Sequence, residues 1–373
     1  MSKKKRRRRN RRGRGWLIAL LIVLGILLLA VGAYITYVFT TYYRLEDKIS
    51  YEAEAPVKGQ RPADAVALDT TYTIMTQNFG FGAYTPDFTF FMDGGKQSWA
   101  VSESSVKKCL NLCVDNLMAY YPDFILLQEV DRNSTRSYYL DEAALFAEKL
   151  PGFTYSWVQN YDSPYLFYPF TEPHGFARSG MMVLSDVQIT SVKRRSLPIS
   201  ESVTKIVDLD RCYTVNRIPV ENGKELVLYN VHLSAYGGSD EIRDAQTSML
   251  FNDMKAEYEA GNYCICGGDF NHDFTGTSVA DLNDGLVSDM GWVQPFPAEA
   301  LPEHISRALD YSTPGVLPTC RNCDEPYKKG NFTVIVDRFI ISDNVIVELL
   351  DNLQTGFAYS DHNPVVMRFH LAG

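Results

Sequence analysis

The chain has 373 residues, 46% hydrophobic and 22% charged, a globular composition that excludes a largely disordered protein. Its net charge of −9 averages two unlike parts. Residues 1–15 hold ten Lys/Arg and no acid, leaving 26 bases against 45 acids, or −19, for the remainder.

This basic tail runs into Trp16–Tyr43, which carries no charge. The run exceeds the roughly 20 apolar residues that a helix needs to cross a bilayer. Trp16 marks one end and Tyr34, Tyr37, Tyr42 and Tyr43 the other, as interfacial aromatics do. Positive charge before the span predicts a cytoplasmic N-terminus and an extracytoplasmic body, so residues 16–43 read as the signal anchor of a single-pass cell-membrane protein. Cleavage after Val31-Gly32-Ala33 would instead release a secreted protein. The basic run alone would also fit a nucleic-acid patch, but the adjoining span makes it a topology signal. Residues 44–70, polar and with two prolines, read as a linker.

From residue 71 to 373, apolar and amphipathic stretches alternate without another break, predicting one α/β (α+β) domain with a large core. Strands are predicted at Tyr72–Asn78, Phe124–Val130, Met181–Leu184, Tyr213–Val220, Leu226–Leu233, Tyr263–Gly268, Thr333–Ser342 and Pro364–His370. Helices are predicted at Ser102–Tyr120, with Val106, Leu110, Cys113 and Leu117 on one face, and at Glu241–Glu259, entered at Ser239 or Asp240. Lys193-Arg194-Arg195 reads as a solvated strand end. Of the seven cysteines, Cys320 and Cys323 suit a local disulfide, and Cys264 and Cys266 read as small core residues.

Several strands end in polar residues: Asn78, Gln128-Glu129, His232, Asp269-Asn271, and Asp361-His362 just before the last strand. Strand ends of layered sheets can converge on one rim. Glu129, Asp361 and the Asn78 amide oxygen are hard donors that suit Mg²⁺, with Mn²⁺ or Ca²⁺ also open. His232 and His362 can work near neutral pH. Gly267-Gly268, before Asp269, would let backbone approach a ligand. A cation, carboxylates and imidazoles together suit phosphoryl chemistry.

The ordered set Thr76-Gln77-Asn78, Leu127-Gln128-Glu129, Asn230-Val231-His232-Leu233, Gly268-Asp269-Phe270-Asn271, Val336-Asp337-Arg338-Phe339 and Ser360-Asp361-His362-Asn363-Pro364 resembles the endonuclease/exonuclease/phosphatase family. The resemblance extends from about residue 72 to 371. It implies a four-layer α/β/β/α sandwich with its site at one rim of two packed sheets. By the same resemblance Glu129 would be the principal metal ligand, with Asn78 and Asp361 near the same ion. Asp269 would orient or deprotonate water, Asn271 would hold a phosphate oxygen, and His362, steadied by Asp337, would contact the scissile phosphate. His232 would assist protonation of the leaving oxygen. Taken apart from the family pattern, Asp337 reads as a partner of Arg338 or a strand cap.

Substrate is not fixed by these motifs, since one phosphate chemistry serves many leaving groups. Arg136 and Arg178 stand beside motif-bearing strands as candidate phosphate contacts or surface ion pairs. The aromatic segments 79–95 and 161–175 suit a pocket, a membrane-facing surface or packing. The leading expectation is a membrane-anchored, outward-facing, divalent-metal-dependent phosphodiesterase or phosphatase. Its partners would be a phosphate-ester substrate and the membrane, with no protein partner predicted. A secreted or surface nuclease acting on DNA or RNA, and a catalytically inactive binding domain, are the alternatives.

Overall fold

The computed structural model describes residues 2–373 except 60, 201, 203–204, 206–208, 236–238, 285–291 and 310–316. It divides into two units, Met1–Tyr43 and Arg44–Gly373. The first is one helix, Ser2–Thr41. Its stretch Arg14–Thr41 has 28 residues and contains an 18-residue window of mean hydropathy 2.9, long and apolar enough to cross a membrane. At 1.5 Å per residue that is about 42 Å, against a hydrocarbon core of roughly 30 Å.

The second unit is built on two sheets. One runs in the spatial order Val345–Asn352, Val365–Leu371, Tyr72–Asn78, Phe124–Asp131, Arg178–Ser185, Thr154–Asp162. The other runs Ser50–Tyr51, Ser191–Ser196, Cys212–Pro219, Glu225–His232, Tyr263–Asp269, Asp337–Ser342, Ile305–Arg307. Central strands are buried on both faces, which explains why they read as continuous apolar runs. Successive side chains point to opposite faces. Ile74, Phe124, Leu126, Leu226, Leu228 and Ile265 therefore fill the space between the sheets. Their neighbours Met75, Ile125 and Leu127 pack outward on Leu110, Cys113, Leu117 and Phe146. These belong to the helices Glu103–Met118 and Glu142–Lys149, capped by Ser102 and Asp141. On the other side Val227, Tyr229, Cys264 and Cys266 pack on Leu250, Phe251 and Met254 of the helix Asp240–Glu259. The result is a four-layer α/β/β/α sandwich, and Cys264 and Cys266 are the core residues expected.

Register fixes the rim. Tyr72–Asn78 is parallel to Phe124–Asp131, and Glu225–His232 is parallel to Tyr263–Asp269. Their C-terminal ends deliver Asn78, Glu129, His232 and Asp269 together, and Asp337 opens the next strand directly opposite Asp269.

Several expectations need correction. Thr333–Ser342 is two strands: Thr333–Val334 pairs with Cys320–Arg321, and Asp337–Ser342 joins the large sheet. Strands Thr154–Asp162, Ser191–Ser196 and Val345–Asn352 and the helix Glu142–Lys149 are additional to the expected elements. Residues 44–59 and 61–70 lie along the body instead of forming a free linker, because Val66 is fully buried in the inter-sheet core and Glu54 pairs with Tyr155. Arg194 is buried, not solvated: it donates to the carbonyls of Gln159, Glu46 and Asp210, pinning this stretch. Cys320 and Cys323 are free buried thiols. Gly267 and Gly268 serve packing, since a Cβ on Gly267 would meet the Phe339 ring and one on Gly268 the Val231 carbonyl.

At the opposite end of the first sheet, Asp123 precedes one strand and Asp186 follows another, Asp186 N–H donating to the Asp123 carbonyl at 3.0 Å. Burial, the Asp123 charge and a shared side-chain hydrogen bond push the Asp186 carboxyl up to about 7. A folded-state pKa raised above the unfolded one gives stability at low pH that is lost as pH rises through about 7. Asp186→Asn is therefore expected to raise the melting temperature at pH 8 by roughly 2–4 °C, the gain shrinking as pH falls toward 4. A gain that is absent at pH 8, or equal at both pH values, would sink this account.

Candidate active site

The rim encloses a pocket of about 340 Å³ lined by polar residues from both sheets, among them Asn78, Glu129, His232, Asp269, Asn271, Asp361 and His362. Glu129 reaches it through a β-bulge. Pairing with Arg178–Ser185 shifts between Leu127 and Val130, and Glu129 has φ +53°. A bulge re-aims one side chain, and a non-glycine residue with positive φ at such a place marks strain retained for a purpose. Asn271, with φ +50°, turns directly after Asp269.

Asp269 is the hub. Its Oδ1 accepts from Asn271 N–H at 2.9 Å and its Oδ2 from Asn78 Nδ2 at 3.1 Å. The same Oδ2 lies 3.5 Å from His232 Nε2 and 3.8 Å from His362 Nε2. Burial pushes its carboxyl up to about 7, against the opposing pull of His362. His362 Nδ1 is 2.8 Å from Asp337 Oδ2. Burial, the largest single influence, would depress His362, but Asp337 together with Cys320, Asp269 and Asp361 outweighs it and holds the ring in its imidazolium form well above the usual range. His232 is shifted the other way, by burial first and then by Arg211, so it is neutral. The two imidazoles thus have opposite protonation states on either side of one carboxylate. Asp337 does not pair with Arg338, which reaches Asn352 Oδ1.

Glu129 and Asp361 form the remaining wall. Among the described residues neither has an Arg or Lys at ion-pair distance; burial raises the Asp361 carboxyl, against the pull of His362 and Arg321, and the Glu129 charge adds to the rise. Two carboxylates facing one pocket without an Arg or Lys at ion-pair distance are the donor chemistry of a divalent-cation seat. Asn78 behaves differently from the expectation. Its amide oxygen accepts from Gly80 N–H at 3.0 Å, and its Nδ2 bridges Glu129 Oε1 and Asp269 Oδ2, each at 3.1 Å. In this arrangement it spaces the carboxylates. Asp269, Asp337 and His362 also place ligand atoms within 4.8 Å of one another. The His362–Asp337 hydrogen bond, however, already commits His362 Nδ1.

Other motif residues hold this assembly together without lining the pocket. Gln128 Nε2 donates to Asn230 Oδ1 at 2.7 Å, and Asn230 Nδ2 donates to the carbonyls of Leu127 and Met182, each at 3.0 Å. Buried amides thereby cross-link the sheets. Ser360 Oγ donates to the Asn78 carbonyl at 2.7 Å and accepts from His362 N–H at 3.0 Å, while Gln77 Nε2 donates to the His362 carbonyl. The loop before the last strand is thus tied to the first strand of the domain.

The two candidate arginines separate. Arg136 lines the pocket, but its Nε and Nη2 clasp both oxygens of buried Asp131, and it stacks on Phe81. Arg178 is exposed and outside the pocket lining. Segment 79–95 is chiefly packing, with Phe81, Tyr84, Phe88 and Phe90 clustered and only Tyr84, Phe90, Met92 and Asp93 reaching the pocket. Segment 161–175 supplies Tyr161 and His174 to the lining but leaves Phe167, Tyr168 and Phe170 exposed. Sequence reasoning missed Arg211, Arg321 and Trp292 in the pocket wall. None follows a motif-bearing strand, and Arg321 lay hidden in a stretch read as a disulfide loop.

Fold and site together define a phosphoester hydrolase built on a two-sheet sandwich. The sequence matches the endonuclease/exonuclease/phosphatase family over residues 94–362. The chain belongs to that family, whose enzymes are divalent-metal-dependent hydrolases of phosphate esters. Similar solved structures include ANGEL2, a 2′,3′-cyclic phosphatase, at TM-score 0.53 and 14% identity, covering 81% of this chain and 96% of that one. An endonuclease/exonuclease/phosphatase from Beutenbergia cavernae DSM 12333 gives TM-score 0.52 and 16% identity over 81% and 72% of the two chains. A family protein from Leptotrichia buccalis C-1013-b gives 0.51 and 12% over 80% and 100%. At these identities the likeness is one of fold. No curated protein matches the chain by sequence.

Proposed function

We propose that the chain is a membrane-anchored hydrolase of phosphate esters whose catalytic body faces away from the cytoplasm. The observation that carries the reading is Asp269, set between a neutral and a protonated imidazole and beside Glu129 and Asp361, two carboxylates with no Arg or Lys at ion-pair distance among the described residues. Glu129 and Asp361 would hold Mg²⁺, and Mn²⁺ or Ca²⁺ would suit the same oxygen donors. When bound, the cation supplies Lewis-acid stabilisation of charge on the phosphate oxygens.

The protein's own groups do the rest. Asp269 takes the proton of the attacking water. His362 donates from Nε2 to a non-bridging phosphate oxygen, and Asp337, accepting from Nδ1, fixes the ring and sustains its charge. Asn271 spends one amide hydrogen on the Leu233 carbonyl at 2.8 Å and has the other to offer a phosphate oxygen. His232, neutral, is placed to relay a proton toward the leaving oxygen. Orientation follows from the ten bases that precede the apolar helix.

Intact cells carrying the full chain should hydrolyse bis(p-nitrophenyl) phosphate supplied outside, with activity lost on EDTA and restored by Mg²⁺. Activity that appears only after permeabilisation would overturn the orientation. Its absence in both conditions would overturn the hydrolase.

A further inference from the structure

Three arginines line the pocket, and their charges are disposed of differently. Arg136 is neutralised in place by Asp131. Arg211 donates to the Leu233 carbonyl at 2.8 Å and acts on His232 through its charge. Arg321 is the anomaly. It is 2% exposed, and among the described residues no carboxylate lies at ion-pair distance from it. Its Nη1 and Nη2 donate to the carbonyls of Asn322 and Thr85, at 3.3 and 3.2 Å, and its Nε has no hydrogen-bond partner among the described residues. Its guanidinium carbon lies 5.6 Å from the Tyr327 ring centroid, and its charge acts on Asp361 from beyond ion-pair distance. A guanidinium carries five N–H donors and cannot discard its charge. Carbonyls can hold a buried guanidinium, as three hold Arg194, but Arg321 has two at longer range and an unpartnered Nε, so an anion arriving with a ligand would complete its set.

Its placement gives that ligand an address. Arg321 sits on the short strand Cys320–Arg321, held on one side by Thr333–Val334 and on the other by a bridge from Cys320 to His362. Its backbone N–H donates to the Asp361 carbonyl at 3.0 Å. The strand therefore cannot move independently of the two residues proposed to meet the cation and the scissile phosphate. Tyr84, Phe90 and Trp292 line the same pocket as Arg321 and lower its polarity. A charge-assisted bond there is strong.

We propose that Arg321 binds a second anionic group of the substrate, so that this site prefers phosphate esters carrying a further phosphoryl or carboxylate group beside the scissile phosphate. The inference rests on the hydrolase reading for what happens at the first phosphate, but the anion site itself stands or falls separately.

Methylphosphonate and methylenediphosphonate, which differ by one anionic group, test it by calorimetric titration into the full chain in detergent with Mg²⁺. Wild type should bind the diphosphonate about tenfold or more tightly than the monophosphonate, as one charge-assisted contact predicts. Arg321→Gln should bring that ratio below about threefold, and Arg321→Lys, which keeps charge but loses the fork, should fall between. Both ligands bind Mg²⁺ in solution equally for every variant, so the change in ratio isolates the arginine. A ratio near one in wild type, or a ratio preserved in Arg321→Gln, overturns the proposal. So does an equal loss for both ligands, which would mean that Arg321 only balances the charge of Asp361. If Arg321→Gln fails to fold, a wild-type ratio in Arg321→Lys is the overturning result. Adenosine 3′,5′-bisphosphate and inositol 1,4-bisphosphate then separate a nucleotide from a headgroup source, and a loss of affinity for either in the variant supports the site. Wild-type turnover of bis(p-nitrophenyl) phosphate is read in parallel. Turnover without the ratio refutes only this inference, and the ratio without turnover refutes only the hydrolase.

Discussion

Asp269→Asn is expected to lower turnover of a simple phosphodiester by about 10²–10⁴-fold, the usual contribution of a positioned general base. The reason is local. Asp269 is the only described carboxylate between the two imidazoles, 3.5 Å from His232 and 3.8 Å from His362. Asparagine preserves its shape and keeps an oxygen to accept from Asn271 N–H, so the turn that follows survives. It removes the capacity to take a proton. The fold should be retained, with a melting temperature within a few degrees of wild type, and Mg²⁺ should still stabilise the variant. Steady-state kinetics with parallel thermal melts separate the possibilities. Turnover within tenfold of wild type would remove Asp269 from the proton-accepting role. A collapse of the melt would show that its hydrogen bonds matter more than its basicity.

Glu129→Gln is expected to abolish the stabilisation by divalent ions and to raise the Mg²⁺ concentration needed for half-maximal activity by at least about 100-fold, beyond the 10–100-fold typical of supporting residues. Anything that binds only the folded state raises its melting temperature by mass action. Glu129 projects from a bulge with φ +53° into a pocket where Asp361 is the companion acid. Glutamine keeps the length of the side chain and an oxygen for the 3.1 Å contact with Asn78 Nδ2, but removes the charge. The readout is the Mg²⁺-dependent shift in melting temperature, measured without substrate. An unchanged shift in the variant would move the cation elsewhere, the Asp269–Asp337–His362 group being the remaining described cluster. Asp361→Asn in the same assay should give the same direction of change.

Much of the site was legible because its residues sit at predictable places on strands. Tyr72–Asn78, Glu225–His232 and Tyr263–Asp269 are short apolar runs that end in chemistry-bearing side chains, and register turns those ends into a rim. The helix Glu103–Met118 matched its apolar stripe and its Ser102 cap. Ser191–Ser196, next to the short edge strand Ser50–Tyr51, and the edge strand Val345–Asn352 were missed because few of their residues are both apolar and buried, and charged residues interrupt each run. The stretch 44–70 looked like a tether because its composition is polar. It is held by backbone pairing and by single buried residues such as Val66, which composition does not register.

By itself, the sequence determined the apolar span behind ten bases, the α/β class, and the order of polar residues that marks the family. Each depends on local composition or on spacing along the chain. The tertiary structure alone decided what those residues do to one another. Asn78 meets Asp269 across 191 positions, and Gln128 meets Asn230 across 102. Opposite shifts in two histidines arise from burial and from which carboxylate or guanidinium lies beside each. Arg136 lost its role as a free phosphate contact to Asp131, and Arg321, without a signal in the sequence, emerged as a buried cation in the pocket wall with no acid at ion-pair distance among the described residues. The physical reason is that charge acts through space and is amplified by desolvation, and neither quantity exists until the two sheets pack.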